Sequence, residues 1–143
     1  MLCIGWISCS NDDKQDVTTD PEGAVELNLG AYGYHAFYDI NLADNVSFSF
    51  EADSFTVYRA DVTNIGKVDG LSSIQYIPAV GPWKSDPRGW ERIAIKPGNG
   101  YIIRSHDNTV YTRIYVIDYI KGADGNKVIG VHIKYQSPWL DYK

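Results

Sequence analysis

The chain has 143 residues, enough for one domain that buries roughly 70% of its unfolded surface and needs neither metal nor disulfides for its core. The 13 Lys and Arg residues are outnumbered by 18 Asp and Glu residues, giving a net charge of −5, and no basic run follows the pattern of a phosphate-binding surface, which argues against a nucleic-acid partner. A hydrophobic content of 44% excludes a disordered chain, and no apolar run reaches the roughly 18 residues that span a bilayer.

The amino-terminal segment changes abruptly from apolar to polar at a cysteine. Leu2 to Ile7 is apolar, a small serine precedes Cys9, and the following residues, Ser10 to Asp20, are polar except for Val17. This junction resembles a bacterial lipobox, in which the cysteine is acylated and a polar tether follows. The alternative is that the apolar run forms a buried edge strand and Cys9 is an ordinary thiol.

The resulting division of the chain has three parts. We predict a partial lipoprotein signal over residues 1–8, a polar tether over residues 9–21 that begins with lipidated Cys9, and a single all-β domain over residues 22–143. Both cysteines, Cys3 and Cys9, precede that domain, which excludes a disulfide scaffold, a Cys-ligated zinc site and a Cys nucleophile within it. We predict no cofactor and no metal.

Short runs of alternating residues begin after residue 24. Val25, Leu27 and Leu29 indicate one half-buried strand, and a weaker pattern from Tyr34 to Ile40 indicates a second. Two further runs, separated by the turn residues Ala52 and Asp53, read as an antiparallel pair; their apolar positions are Val46, Phe48, Phe50, Phe55 and Val57.

Residues 66–87 show no sustained period and contain several Pro and Gly residues, which predicts a long connection with one helical turn. Loops of this length in small domains are uncommon and often functional. Trp83 lies in this connection, and the sequence favours neither ligand contact nor a role as a plug at the end of a sandwich.

The last third predicts four consecutive strands in one contiguous antiparallel sheet. The first two strands, residues 90–96 and 101–105, are joined by a Pro-Gly-Asn-Gly turn, and the next two, residues 109–121 and 127–136, by a turn containing Asp-Gly. The prediction for the whole chain is an all-β antiparallel sandwich or partly open barrel of about 7–9 strands, with one long Gly/Pro-rich connection.

One face of the long strand is aromatic and cationic. A two-residue period places Tyr111, Arg113, Tyr115 and Tyr119 on the same face. Tyrosines at this spacing form a flat ladder about 14 Å long, at roughly 3.4 Å per residue. Tyrosines can stack on sugar rings, and Arg113 could bind a carboxylate. The alternatives are that these residues stabilise the sheet by cross-strand pairing, or that a second sheet covers them.

The sequence contains no catalytic motif. His35, His106 and His132 lie outside any recognisable nucleophile or acid-base pattern, and a glycosidase carboxylate pair cannot be identified from spacing along strands. The chain is therefore not predicted to be an enzyme.

Several stretches together, "EGAVELNL", "IGKVDGLSSI", "GWERIAIKPGNGYIIR", "YTRIYVIDYI" and "VIGVHIKYQSPW", resemble a family of small secreted lipoproteins from gut Bacteroidetes of uncharacterised function. The resemblance implies a lipid-anchored domain exposed on the outer membrane, bound to the membrane only through its anchor, and it supplies no catalytic residue. The expected function is a surface binding module for a glycan or host polymer, using Tyr111, Arg113, Tyr115, Tyr119 and Trp83. The alternative is a structural or adhesion component of a surface complex or fimbria, with a surface protein as partner.

Overall fold

The computed structural model describes most of the predicted domain. The predicted signal, Cys9 and the first part of the tether lie outside the described residues, as does most of the weak strand predicted at 34–40. The described ranges are 19–30, 40–43, 46–51, 53–78, 83–84, 90–106 and 110–139.

The described residues form antiparallel β-strands and one short 3-10 turn. In chain order these elements are β1 (Val25–Gly30), β2 (Ile40–Ala43), β3 (Val46–Glu51), β4 (Ser54–Tyr58), β5 (Ala60–Lys67), the 3-10 turn (Leu71–Ser73), β6 (Trp90–Ala94), β7 (Asn99–Ser105), β8 (Tyr111–Lys121) and β9 (Val128–Gln136).

The strands build two sheets that pack face to face. A five-stranded sheet has the order β1-β9-β8-β7-β5, and a four-stranded sheet has the order β2-β3-β4-β6. The predicted all-β class and the antiparallel sandwich are confirmed, and the sheets do not close into a barrel.

Aromatic contacts between the sheets form the centre of the core. The Phe48 and Phe55 rings meet edge to face at 5.6 Å, and across the interface Phe55 meets Tyr101 at 5.6 Å while Phe48 meets Tyr135 at 5.9 Å. Edge-to-face geometry aligns the positive ring edge with a negative ring face, and each buried Phe contributes about 1.5–3 kcal/mol through its apolar surface.

Two predicted hairpins are confirmed. β3 pairs with β4 through the predicted turn, with Phe50 opposite Phe55. β8 pairs with β9, and the turn between them is held by Asp124, whose Oδ1 accepts hydrogen bonds from the backbone N–H groups of Asn126 and Lys127 at 2.9 and 3.1 Å.

The predicted hairpin between residues 90 and 105 is wrong. β6 pairs with β4 in one sheet, whereas β7 pairs with β5 and β8 in the other. The intervening backbone bonds to both sheets, since Ile95 N–H donates to Asp53 O at 3.0 Å and Gly98 N–H donates to Val116 O at 2.7 Å. The Pro-Gly turn therefore carries the chain from one sheet to the other, and the four last strands are not contiguous.

β5 has no counterpart among the predicted strands. Its first four residues, Ala60 to Thr63, are all buried, including the polar Asp61 and Thr63, so the face that alternation would assign to solvent is covered as well. Arg59 precedes it with φ 60°, a left-handed conformation, at the corner where the chain passes from the four-stranded to the five-stranded sheet.

Tyr101 makes the stability of this core sensitive to alkaline pH. Its side chain is 0% exposed, its hydroxyl accepts from Lys96 N–H at 2.9 Å and donates to Ala94 O at 3.3 Å, and burial raises its pKa from 10.0 to about 12. Between these two values the unfolded chain loses a proton that the folded chain keeps, so the free energy of unfolding should fall by up to about 1.4 kcal/mol per pH unit above pH 10.

Tyr101→Phe should remove this part of the alkaline destabilisation while costing about 1–3 kcal/mol near neutral pH, because the Lys96 N–H loses its acceptor. Urea unfolding across the alkaline range checks both effects. Tyr76→Phe, at a side chain that is 65% exposed, is the control and should leave the pH profile unchanged. An identical alkaline slope in wild type and Tyr101→Phe would contradict the prediction.

Candidate ligand-binding site

The outer face of the five-stranded sheet, which points away from the four-stranded sheet, is partly covered by residues 68–78, here called the loop layer. Its buried residues Leu71 and Ile74 form a second apolar cluster with Ile102 and Trp139. The predicted helical turn within the long connection is thus confirmed as the 3-10 turn, and it packs on the sheet.

Arg113 lies beneath the loop layer. It is 4% exposed, its Nη1 donates to Ile74 O at 2.6 Å and to Leu71 O at 3.3 Å, and its Nε donates to Gln136 Oε1 at 2.8 Å. The guanidinium carbon also lies 4.9 Å from the centre of the Trp139 ring. Arg113 thus uses its charge to hold the chain's own carbonyl groups, and it fastens the loop layer to β8.

The neighbouring tyrosines share this covered face. Tyr111 and Tyr115 are half-buried and pack against the second apolar cluster. Gly100, opposite Tyr115, leaves room for the loop layer, since a Cβ there would lie 2.9 Å from Ile74 Cδ1. The sequence left open that a second sheet covers this face; the structure shows it covered by the loop layer instead.

Tyr119 does not lie on the face of β8 that carries Tyr111, Arg113 and Tyr115, so its predicted placement is wrong. Between Val116, opposite Ile133, and Asp118, opposite His132, β8 has one extra residue, Ile117. This β-bulge reverses the alternation, so that Tyr119 packs against the main core. Its hydroxyl donates to Ile95 O at 2.7 Å, and burial raises its pKa.

Trp83 reaches the outer face from beyond the β5 edge of the sheet. Val62 and Lys84 form an antiparallel bridge with N···O distances of 3.0 and 2.8 Å, which places Trp83 opposite Thr63. The Trp83 ring extends to β7, where the guanidinium carbon of Arg104 lies 4.0 Å from the ring centre. At that distance the cation and the ring face attract each other.

Arg104 belongs to a charged group that also contains Asp61 and His106. Nε and Nη2 of Arg104 donate to Asp61 Oδ2 at 3.2 and 2.7 Å, and His106 Nε2 lies 3.4 Å from Asp61 Oδ1. The side chains of Asp61, Arg104 and His106 are 13%, 24% and 39% exposed. These three residues and Trp83 are called the Trp83 site below.

Two buried polar atoms beside this site have no hydrogen-bond partner in the described structure: Thr63 Oγ1 and Trp83 Nε1. They belong to residues that face each other across the bridge. A buried polar group without a partner costs about 1–3 kcal/mol, and native proteins keep few of them. Both atoms are buried, so the fold carries the cost of two unsatisfied polar groups at this bridge.

Strained backbone adjoins the same site. His106 N–H donates to the carbonyl oxygen of Arg59 at 3.3 Å, and Arg59 is the one described residue other than glycine with a positive φ. The left-handed conformation costs an L-residue about 1–2 kcal/mol, and such strain concentrates at functional sites.

Of the residues that sequence analysis singled out for binding, only Trp83 belongs to this site. Asp61 and Arg104 are far apart in the chain, and the β5–β7 register places them opposite each other. His106 lies in no recognisable sequence pattern, because a single histidine carries no signal until its neighbours are known.

No protein-family model, curated protein or solved structure matches the chain. Among the described residues, no group of three or more His, Cys, Asp or Glu side chains is placed to hold a metal. The same part of the chain contains no helix with the length and hydropathy of a membrane span.

Arg113→Gln should destabilise the protein by about 2–4 kcal/mol, because two buried carbonyl groups of the loop layer lose a charged donor. Amide hydrogen exchange should accelerate in residues 68–78 more than in β3 and β4. Lys121→Gln, at an exposed position of β8, is the control, with an expected change within about 0.5 kcal/mol. Equal protection of the loop layer in Arg113→Gln and wild type would show that other contacts hold it.

Proposed function

We propose that this protein is a binding module that takes a glycan at the Trp83 site. The observation that carries the proposal is the half-buried Trp83 side chain, whose ring centre lies 4.0 Å from the Arg104 guanidinium carbon, in a group that also contains Asp61 and the 39% exposed His106. It combines an aromatic surface with hydrogen-bonding side chains at fixed positions.

The chemistry of sugars matches such a surface. A pyranose ring presents C–H groups on its faces, which stack on an aromatic ring, and hydroxyl groups on its rim, which exchange hydrogen bonds with planar polar side chains. Arg104 and Asp61 hold each other in place through hydrogen bonds of 2.7 and 3.2 Å, so little side-chain entropy remains to be lost on binding.

This proposal moves the site away from the tyrosine ladder. Tyr111, Arg113 and Tyr115 lie under or against the loop layer, and Tyr119 contributes to the main core. A ligand could reach Arg113 only by displacing the loop layer. Trp83, for which the sequence left ligand contact and a plug role equally open, is the one of these candidates that belongs to the Trp83 site.

We further propose that Cys9 carries a lipid and that the domain is displayed at the outer-membrane surface. The last residues of the predicted tether contact the sheet: Asp20 accepts from Lys134 at 2.9 Å, and Thr19 O accepts a hydrogen bond from Ser72 of the loop layer. The hydrogen bond to Asp20 raises the pKa of the Lys134 amine. These contacts support a tether that leaves the domain at the outer face, beside the loop layer.

A structural or adhesion role is the second candidate. β1 is the edge strand of the five-stranded sheet, and Val25 at its start is 40% exposed. The opposite edge differs, because Lys84 bonds to β5 there. An edge strand with exposed apolar side chains is a place where a partner strand can add.

Trp83→Ala tests the glycan proposal. Wild type should bind a subset of a glycan array, and the variant should lose about tenfold or more in affinity by calorimetry, because the stacking surface is gone. Tyr76→Ala, which removes the exposed aromatic ring of the loop layer, is the control and should bind as wild type does.

The opposite pattern, with binding lost in Tyr76→Ala and retained in Trp83→Ala, would place the ligand on the loop layer and contradict the Trp83 site. An array on which wild type binds no glycan would contradict the function itself. The comparison requires that Trp83→Ala and Tyr76→Ala have equal melting temperatures. For each variant, the melting temperature is measured on the preparation that is used for the binding assay.

A further inference from the structure

Arg104 is held on two sides by the protein itself. Asp61 occupies the Nε and Nη2 side of the guanidinium, and the Trp83 ring covers one face of its plane. The position and tilt of the guanidinium are therefore both fixed before any ligand arrives.

The remaining edge of the Arg104 guanidinium is available. An arginine has five N–H groups, and the pair at the tip, from Nη1 and Nη2, forms a second fork that fits a carboxylate. In the part of the chain that the structure describes, Arg104 donates only to Asp61, and its side chain is 24% exposed.

The contrast with Arg113 on the same sheet face is informative. Both guanidinium groups lie against a tryptophan ring, but Arg113 is 4% exposed and donates to three oxygen atoms of its own chain. Arg104 has the same kind of ring contact without the covering layer. Its accessible fork is thus not a general property of arginines on this face.

The acidic group of the site is already paired. Both oxygens of the Asp61 carboxylate face basic groups, Arg104 and His106. A carboxylate that approaches the tip of Arg104 therefore meets a paired Asp61 rather than a free negative charge.

We propose that the ligand of the Trp83 site is an acidic glycan whose uronic-acid carboxylate binds the Nη1 and Nη2 fork of Arg104 while its sugar ring contacts Trp83. This inference rests on the proposed glycan-binding function and names the class of sugar. A planar carboxylate matches the planar fork with two parallel hydrogen bonds, which a lysine in that position could not form.

The test compares each acidic glycan with its own neutral form. Oligogalacturonate, hyaluronan oligosaccharides and alginate oligosaccharides are titrated into the wild-type protein in parallel with the same compounds after carboxyl reduction. At least one acidic compound should bind, and its reduced form should bind about tenfold or more weakly, because a charged bidentate contact is lost. Added salt should weaken binding of the acidic form more than binding of neutral glycans.

Arg104→Lys keeps the charge and removes the fork, and it should weaken binding of the acidic compound about tenfold or more without improving binding of the reduced one. Arg92→Lys, on the other sheet, is the matched control and should bind as wild type does. Thermal melting shows whether a variant has lost its fold. The comparison of acidic and reduced glycans uses the wild-type protein, so it holds even if a variant fails to fold.

The outcomes separate the two proposals. Binding of acidic and reduced forms with equal affinity, or binding of neutral glycans alone, would overturn the carboxylate inference and leave the glycan-binding function standing. Failure of every glycan, acidic and neutral, would overturn both. Binding of the acidic form that is equal in Arg104→Lys and wild type would overturn the assignment of Arg104 as the carboxylate-binding residue.

Discussion

The buried guanidinium of Arg113 is the contact on which the outer face of the molecule depends. A charge that is 4% exposed is stable only when its donors are matched, and here the partners are the carbonyls of Leu71 and Ile74 and the Gln136 amide. The same bonds satisfy carbonyl groups that the loop layer buries. The Arg113 side chain thus offsets the desolvation of its own charge and the desolvation of the buried carbonyl groups. It holds a long irregular connection on the sheet as a packed third layer.

That layer changes the character of the strands beneath it. A sheet in a sandwich normally has one face in the core and one in water, which gives alternation along each strand. Where the loop layer and Trp83 cover β5, β7 and β8, side chains on both faces are partly or fully withdrawn from solvent, as at Thr63, Ile102 and Arg113. Thr63 and Arg113 thus combine polar residue types with near-complete burial.

Arg113 and Arg104 illustrate two uses of one arrangement. Each guanidinium lies against a tryptophan, at 4.9 Å for Trp139 and 4.0 Å for Trp83. The first is saturated by internal acceptors and stabilises the loop layer. The second shares its charge with Asp61 at the surface, where the strained Arg59 and the unpaired atoms of Thr63 and Trp83 also lie. Among the described residues, the strained non-glycine backbone and the unpaired buried side-chain atoms therefore lie where we propose binding, away from the aromatic core.

The sequence by itself determined the all-β class, the hairpins β3–β4 and β8–β9, and the long connection with its helical turn, because alternation and turn residues act over a few neighbouring positions. It did not predict β5, where residue types alternate only from Ala60 to Thr63 and the polar residues are buried as well. It did not predict the passage between sheets after β6 either, because a Pro-Gly turn does not specify which strand its neighbours pair with. It also misplaced Tyr119, since a single bulge at Ile117 reverses the period.

The candidate site shows the same limit. Trp83 stood out as a tryptophan in a long loop, whereas Asp61, Arg104 and His106 come together only through the register of β5 with β7, which the tertiary structure decides by packing distant segments against one core.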